Sequence, residues 1–159
     1  QKDKKEKSIQ EKKDSISSKF PQYSSQKKSS SLSSGEYKKI EIPNPTEDIY
    51  PPCIKILLKG IPGDGRKRAL FLLINFFKSL GVSNQEIEKR INQWNEKNPQ
   101  PLKKGYIQSQ LAWYKKSGSR MPPNCDKPNY KDLAICKPDE LCRQIKNPIN
   151  YAVKKYFKR

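Results

Sequence analysis

From residue 53 onward, apolar positions recur at the three- and four-residue spacing of amphipathic α-helices. No segment shows the apolar–polar alternation of a half-buried strand. The predicted helices cover residues 53–59, 66–80, 83–98, 104–116, 138–144 and 148–157. The predicted fold class is therefore mainly α, a compact helical domain.

Residues that start or stop helices stand at these boundaries. Ser83 and Glu86 have the spacing of a capping box, Gly118 follows the fourth helix, and Asn147-Pro148 precedes the last. The expected core positions are Ala69, Leu70, Leu73, Phe77, Leu80, Ile87, Ile91 and Trp94. Trp113 is also expected in the core, since tryptophan is usually buried in a small helical domain.

The first 46 residues differ in composition from the rest. They are rich in Lys, Ser, Gln and Glu, and the run 29–34 contains Leu32 among serines. Such a segment buries too little apolar surface to offset the entropy of ordering it. We therefore expect a disordered tail or linker at 1–46 and a folded domain at 47–159.

The charge is strongly positive. The 159 residues include 34 Lys and Arg against 16 Asp and Glu, a formal charge of +18. Residues 47–159 hold 23 of these cations and 10 of the acids, so most of the excess lies in the folded part. This balance predicts a polyanionic partner such as nucleic acid.

The longest apolar run, Ala69 to Ile74, is far shorter than the roughly 18 residues of a membrane span. The charged first residues do not resemble a secretory signal. The expectation is a cytoplasmic, nucleoid-associated protein that is neither secreted nor membrane-bound. In that compartment cysteines are more often metal ligands than disulfides.

Four cysteines carry the clearest chemistry. Cys53 stands at the start of the first helix, and Cys125, Cys136 and Cys142 follow after 71, 10 and 5 intervening residues. The chain has no histidine, so a four-ligand centre of soft donors needs all four thiolates. Four thiolates satisfy either zinc or an iron–sulfur cluster. Widely spread single ligands favour [4Fe–4S], and Zn²⁺ is the alternative.

The context of these cysteines resembles a known family. The motifs are Pro51-Pro52-Cys53-Ile54, Pro122-Pro123-Asn124-Cys125, Cys136, Cys142, the segment Asn147-Pro148-Ile149-Asn150-Tyr151, and Lys104-Gly105-Tyr106 before the second cysteine. Together they resemble the C-terminal iron–sulfur domain of the archaeal and eukaryotic DNA primase large subunit. The resemblance covers residues 50–157, and it is specific in the order of the cysteines and weak in the helices between them.

This resemblance implies a non-catalytic domain that closes around a [4Fe–4S] cluster on Cys53, Cys125, Cys136 and Cys142. It also implies a role in primer synthesis for DNA replication. The expected partners are the catalytic small subunit of primase, single-stranded DNA, the primer–template junction and the initiating nucleotide. The family makes such contacts through Arg, His and Tyr side chains, whereas this chain has no His.

A basic loop is the candidate phosphate site. Gly63-Asp64-Gly65 precedes Arg66, Lys67 and Arg68 at a helix start, where free amides and the helix dipole favour anions. The spacing is not that of a Walker loop. By family position Arg66 and Arg68 resemble arginines that meet nucleic acid or a 5′-triphosphate. A solvated helix start is the alternative reading.

Lys104 and Tyr106 complete the candidate nucleic-acid residues, because aromatic rings among cations suit base stacking. Two other functions remain open. A zinc-stabilised four-cysteine adaptor would bind another replication protein. An iron–sulfur nuclease would need a carboxylate metal site and a general base, and the scattered acids and absent histidine argue against an enzyme.

Overall fold

A computed structural model describes residues 40–118 and 120–159. Most of the predicted tail, residues 1–39, lies outside these described residues. The α-helices are α1 Pro52–Leu57, α2 Arg66–Ser79, α3 Asn84–Lys97, α4 Lys104–Ser117, α5 Asn129–Asp132 and α6 Pro148–Phe157. Two 3₁₀ turns, Glu47–Ile49 and Cys142–Gln144, complete the regular structure of the described ranges, which include no strand. The mainly helical prediction is confirmed.

Helix ends follow the predicted capping chemistry. The Ser83 hydroxyl accepts a hydrogen bond from the Glu86 amide at 3.3 Å. The Asn147 side chain accepts one from the Ile149 amide at 3.0 Å. The helix predicted near 138–144 is reduced to the turn Cys142–Gln144, and the single-turn α5 was not predicted. Elements this short are set by their tertiary contacts, because one turn of helix is unstable alone.

Helix α2 is the centre of the fold. It packs against α3 and against α6. It therefore buries more than the predicted stripe, since Leu72, Ile74 and Phe76 are also inaccessible to solvent. The burial of α2 on nearly all sides fixes its first turn, with the basic residues, relative to the rest of the domain.

Polar contacts join the other helices to this core. The indole N–H of Trp94 in α3 donates to the Leu57 carbonyl at the end of α1 at 2.9 Å. The Asn98 side chain accepts from the Ile61 amide at 2.7 Å. These bonds hold α1, and with it Cys53, against α3.

The packed region extends upstream of Thr46. Ile42 is buried, and its amide donates to the Leu80 carbonyl at 3.0 Å. The Tyr50 hydroxyl and the Arg90 guanidinium both donate to the Pro45 carbonyl, at 2.9 and 3.0 Å. Residues 42–46, assigned to the tail from composition, thus include contacts of the helical domain.

Trp113 is not in the core, contrary to the sequence-based expectation. Ile107, Leu111 and Tyr114 form the buried stripe of α4, whereas Trp113 is 50% exposed. Aromatic residues occupy both 113 and 114, so composition alone did not identify the inward position. Among the described residues, no helix is long and apolar enough to cross a membrane.

Candidate metal centre and nucleic-acid surface

All four cysteines line a single cavity of about 220 Å³. They come from α1, from the segment before α5, from the segment after it, and from the turn Cys142–Gln144. The other lining residues are Pro51, Tyr130, Lys137, Pro138, Ile145 and Pro148. The fold therefore brings together cysteines that lie far apart in the sequence. The cavity is much larger than the ~30 Å³ that one water molecule occupies in the liquid.

Local backbone contacts place two of the thiols. Pro52 occupies the first turn of α1, which sets Cys53 at the helix start. The Cys125 amide donates to the Lys146 carbonyl at 2.8 Å, which joins the second cysteine to the segment before α6. Cys125 is therefore held beside the segment that runs from Cys142 to α6.

Cys136 is presented by the end of α5. Ala134 adopts a left-handed conformation, with φ 55°, and its amide donates to the Lys131 carbonyl at 2.9 Å. The Ile135 amide donates to the Tyr130 carbonyl at 3.0 Å, and Ile135 is buried. This helix-terminating turn directs the chain into the core just before Cys136.

Asp139 fixes the fourth cysteine. One carboxylate oxygen accepts from the Cys142 amide at 2.9 Å, and the other accepts from the Tyr151 hydroxyl at 2.7 Å. Burial raises the pKa of Asp139, but these hydrogen bonds outweigh it and hold the pKa below its usual range. Sequence reasoning missed Asp139. The spacing Asp-x-x-Cys at a turn was the available signal.

Asn147 ties the segment before Cys125 to α6. Its amide group donates to the Pro122 carbonyl at 2.8 Å and to the Asn124 side-chain oxygen at 3.1 Å. The same side chain caps α6 through the Ile149 amide. The sequence predicted the cap, whereas the contact with Pro122 depends on the tertiary fold.

Burial raises the pKa of three of these thiols, those of Cys53, Cys125 and Cys142. Burial, reinforced by the neighbouring cysteines, raises the pKa of Cys53 to about 12. Burial likewise raises the pKa of Cys142 to about 11 and that of Cys125 above its usual value. A bound cation compensates this effect, because metal coordination deprotonates thiols.

A donor set of four thiolates satisfies either a zinc ion or an iron–sulfur cluster. Within residues 40–118 and 120–159, no three Cys, Asp or Glu side chains converge closely enough to hold one metal ion. A zinc ion needs its four sulfurs about 2.3 Å from one point. An iron–sulfur core binds thiolates around a larger body, and the cysteines surround a cavity of about 220 Å³.

The candidate nucleic-acid residues lie where α2 and α4 begin. Arg66, Lys67 and Arg68 form the first turn of α2, and Lys104 and Tyr106 belong to the first turn of α4. The Lys67 ammonium lies 4.9 Å from the centre of the Tyr106 ring. The Arg66 guanidinium donates to the Gln100 carbonyl in the segment before α4. The structure thus brings the two predicted groups together.

Both helix starts can accept an anion. Neither α2 nor α4 has a hydrogen-bonding side-chain cap or an acidic residue in its first turn, so amides remain available there. Arg68 makes an exposed ion pair with Asp132 of α5 at 3.5 Å, which is weak in water and easily exchanged for phosphate. Lys67 and Lys104 are exposed.

Helix α5 links the two sites. Tyr130 lines the cysteine cavity, and Asp132 pairs with Arg68. Leu133 packs against Gly65, the residue before α2, at which an added Cβ would lie 2.4 Å from the Leu133 methyl carbon. The single turn of α5 therefore lies between the cysteine cavity and the basic residues at the start of α2.

Comparison with known proteins supports the primase resemblance. The chain is 29% identical to the DNA primase large subunit PriL of Thermococcus kodakarensis and 23% identical to that of Pyrococcus abyssi, covering 69% of this chain and 37% of each relative. It is 25% identical to PriL of Methanococcoides burtonii, over 79% of this chain and 33% of the relative. No family model matches, and no solved structure matches.

The similarity to several archaeal PriL proteins confirms the resemblance inferred from the cysteine motifs. The chain spans about a third of the length of the curated relatives it matches.

Proposed function

We propose that this chain is a non-catalytic module of a DNA primase that holds a [4Fe–4S] cluster and binds nucleic acid during primer synthesis. The observation that carries the proposal is the single cavity lined by Cys53, Cys125, Cys136 and Cys142. The similarity to primase large subunits supports the assignment to replication.

The role of the cluster is structural in this account. Cys53, Cys125, Cys136 and Cys142 would hold it through thiolate bonds, which would join α1, the segments flanking α5 and the turn Cys142–Gln144. Asp139 and Asn147 then act as positioning residues, since they hold Cys142 and the segment before Cys125 through backbone contacts. Joining the segments that carry the four cysteines would fix the position of α5. Helix α5 in turn fixes the position of the first turn of α2.

The nucleic-acid site consists of Arg66, Lys67, Arg68, Lys104 and Tyr106. The amides at the starts of α2 and α4 and the cations beside them bind phosphate groups of a template or an initiating nucleotide. The Tyr106 ring provides a surface for stacking a base. Arg68 exchanges its ion pair with Asp132 for a phosphate oxygen, so the Asp132 carboxylate competes with the ligand for the Arg68 guanidinium.

The partners follow from the role. The module acts beside the catalytic small subunit of primase, on single-stranded DNA and at the primer–template junction, in the cytoplasm with the nucleoid. It contributes binding and leaves phosphoryl transfer to the small subunit. The alternative, a zinc-stabilised adaptor for another replication protein, shares the fold but not the nucleic-acid site.

Two measurements on anaerobically purified protein test the proposal. Iron and acid-labile sulfide, with brown colour, are expected in stoichiometric amounts, and fluorescence anisotropy is expected to show binding to single strands and primer–template junctions. Stoichiometric zinc without sulfide, together with no DNA binding, would establish the adaptor. Co-purification with a primase small subunit tests the partnership separately.

A further inference from the structure

Helix α4 presents a second strip beside its buried stripe. Tyr106, Gln110 and Trp113 each stand one position before the inward-facing Ile107, Leu111 and Tyr114. Seven residues of α-helix return to within about 20° of the same direction and advance about 10 Å. Tyr106 and Trp113 therefore lie on one side of α4, two turns apart.

Trp113 is an exposed ring with a fixed neighbour. It is 50% exposed, in contrast to Trp94, which is 1% exposed. Its ring meets the buried Tyr114 ring edge to face, with centroids 4.9 Å apart and planes at 88°. The backbone carbonyl of Tyr114 also accepts a hydrogen bond from the Lys78 ammonium of α2. The backbone that carries Trp113 is thus tied to the central helix.

The charged residues near this strip in the sequence are all positive. From Lys97 to Cys125 the sequence contains six cations and no Asp or Glu. Three of them, Lys115, Lys116 and Arg120, follow Trp113 closely and are exposed. Ser79 donates to the Arg120 carbonyl, which holds this segment at the end of α2. An aromatic ring among cations without carboxylates suits a polyanion with flat bases better than an apolar protein surface.

We propose that Trp113 is a second base-stacking position for single-stranded nucleic acid, which continues the strand from Tyr106 along α4. This rests on the proposed nucleic-acid function and extends its site by two helical turns. At about 3.4 Å per stacked nucleotide, the ~10 Å advance along the axis of α4 from residue 106 to residue 113 corresponds to about three nucleotides. Lys115, Lys116 and Arg120 neutralise phosphates at the far end of that strand.

The spacing makes the effect of Trp113 dependent on strand length. A thymidine dinucleotide fits at Tyr106 without reaching Trp113, whereas an octanucleotide covers both rings. With the full chain, Trp113→Ala should weaken octanucleotide binding by about 5- to 150-fold and leave dinucleotide binding unchanged. Trp113→Phe, which keeps a ring, should recover most of the affinity.

Tryptophan fluorescence provides a direct readout. Trp94 is buried and donates to the Leu57 carbonyl, so quenching by bound bases comes from Trp113. The octanucleotide should quench the wild-type chain, and the dinucleotide should not. Phe157→Ala, which removes an exposed aromatic ring from α6, is the matched control and should change neither binding nor quenching.

The outcomes separate this proposal from the function on which it rests. Unchanged octanucleotide affinity in Trp113→Ala, or equal losses for both lengths, would overturn the second stacking position while leaving binding at Tyr106 intact. Loss of a protein partner with unchanged DNA binding would overturn it as well. If the wild-type chain bound neither oligonucleotide, both the proposed function and this extension would be wrong.

Discussion

The ammonium group of Lys67 lies 4.9 Å from the centre of the Tyr106 ring. This contact joins the first turn of α2 to the first turn of α4, two helix starts that the sequence separates by the rest of α2, the whole of α3 and two loops. It places a cation, an aromatic ring and two sets of free helix amides on one surface.

Removal of the Tyr106 ring should weaken binding without changing its salt dependence. Tyr106→Ala is expected to cost roughly 1–3 kcal/mol in affinity for single strands, because a stacked base loses its partner. The slope of log K against log salt should be unchanged, because no cation is removed. Tyr106→Phe is the control and should bind nearly as wild type. An anisotropy titration at several salt concentrations measures both quantities; equal affinity for Tyr106→Ala would contradict the assignment.

Removal of Arg66 or Arg68, unlike removal of the Tyr106 ring, should change the salt dependence of binding. Arg66→Ala and Arg68→Ala should each weaken binding and reduce the salt slope by about one counterion, because each removes one phosphate contact. The folded domain from residue 40, which keeps the packed residues 42–46, should still bind. If deletion of residues 1–39 abolished binding while the double variant bound normally, the tail would be the contact.

Two substitutions serve as controls for the arginine variants. Lys89→Ala removes an exposed cation of α3 outside the proposed surface and should have a much smaller effect on binding. Asp132→Asn removes the ion-pair partner of Arg68 and should strengthen binding, because phosphate no longer competes with a carboxylate. Opposite shifts in Arg68→Ala and Asp132→Asn would identify the Arg68 guanidinium as the phosphate contact.

Gly65 should be intolerant of a side chain. Its φ is 104°, and an added Cβ would lie 2.4 Å from Leu133 Cδ2. Gly65→Ala should therefore lower the free energy of unfolding by more than about 1 kcal/mol, since strain and overlap add. Gly63→Ala is the matched control in the same loop, because no atom lies within 4 Å of its added Cβ. Chemical denaturation compares the two; equal stabilities would mean that α5 does not pack against the loop as described.

Loss of one thiol should destabilise the whole domain and not only the residues around the cavity. Cys53→Ser removes the ligand that connects α1 to the C-terminal segments, and metal-binding free energy is folding free energy in small domains. We expect a broad thermal transition with a midpoint lowered by more than about 10 °C. Lys59→Ser, an exposed change just after α1, should leave the midpoint unchanged. An unchanged midpoint for Cys53→Ser would mean that the fold does not depend on the metal.

The sequence predicted the long helices because periodicity and caps agree there. Ser83 and Asn147 form the side-chain caps that their positions indicated. The single-turn α5 was missed because its residues have no apolar period and depend on contacts of Tyr130 with the core. Trp113 was misassigned because the expectation rested on the usual burial of tryptophan, whereas the i, i+4, i+7 spacing of Ile107, Leu111 and Tyr114 turns Trp113 away from the core.

The candidate sites could likewise be predicted only in part from the sequence. Residue types and motif order were enough to identify the four cysteines and the basic loop. Their convergence was not deducible from spacing, since it depends on how α1 and α6 pack beside α2. The spacing to Cys142 was a usable signal for Asp139, whereas its contact with Tyr151 depends on the tertiary fold, because an exposed carboxylate has many possible partners until the backbone is placed.

The most direct test of the account is the metal content of the cysteine cavity. Iron, acid-labile sulfide and zinc should be quantified in protein purified anaerobically, in parallel with Cys53→Ser. We expect close to four iron and four sulfide per chain, with little zinc, and a large loss of both iron and sulfide in the variant. One zinc per chain without sulfide would contradict it.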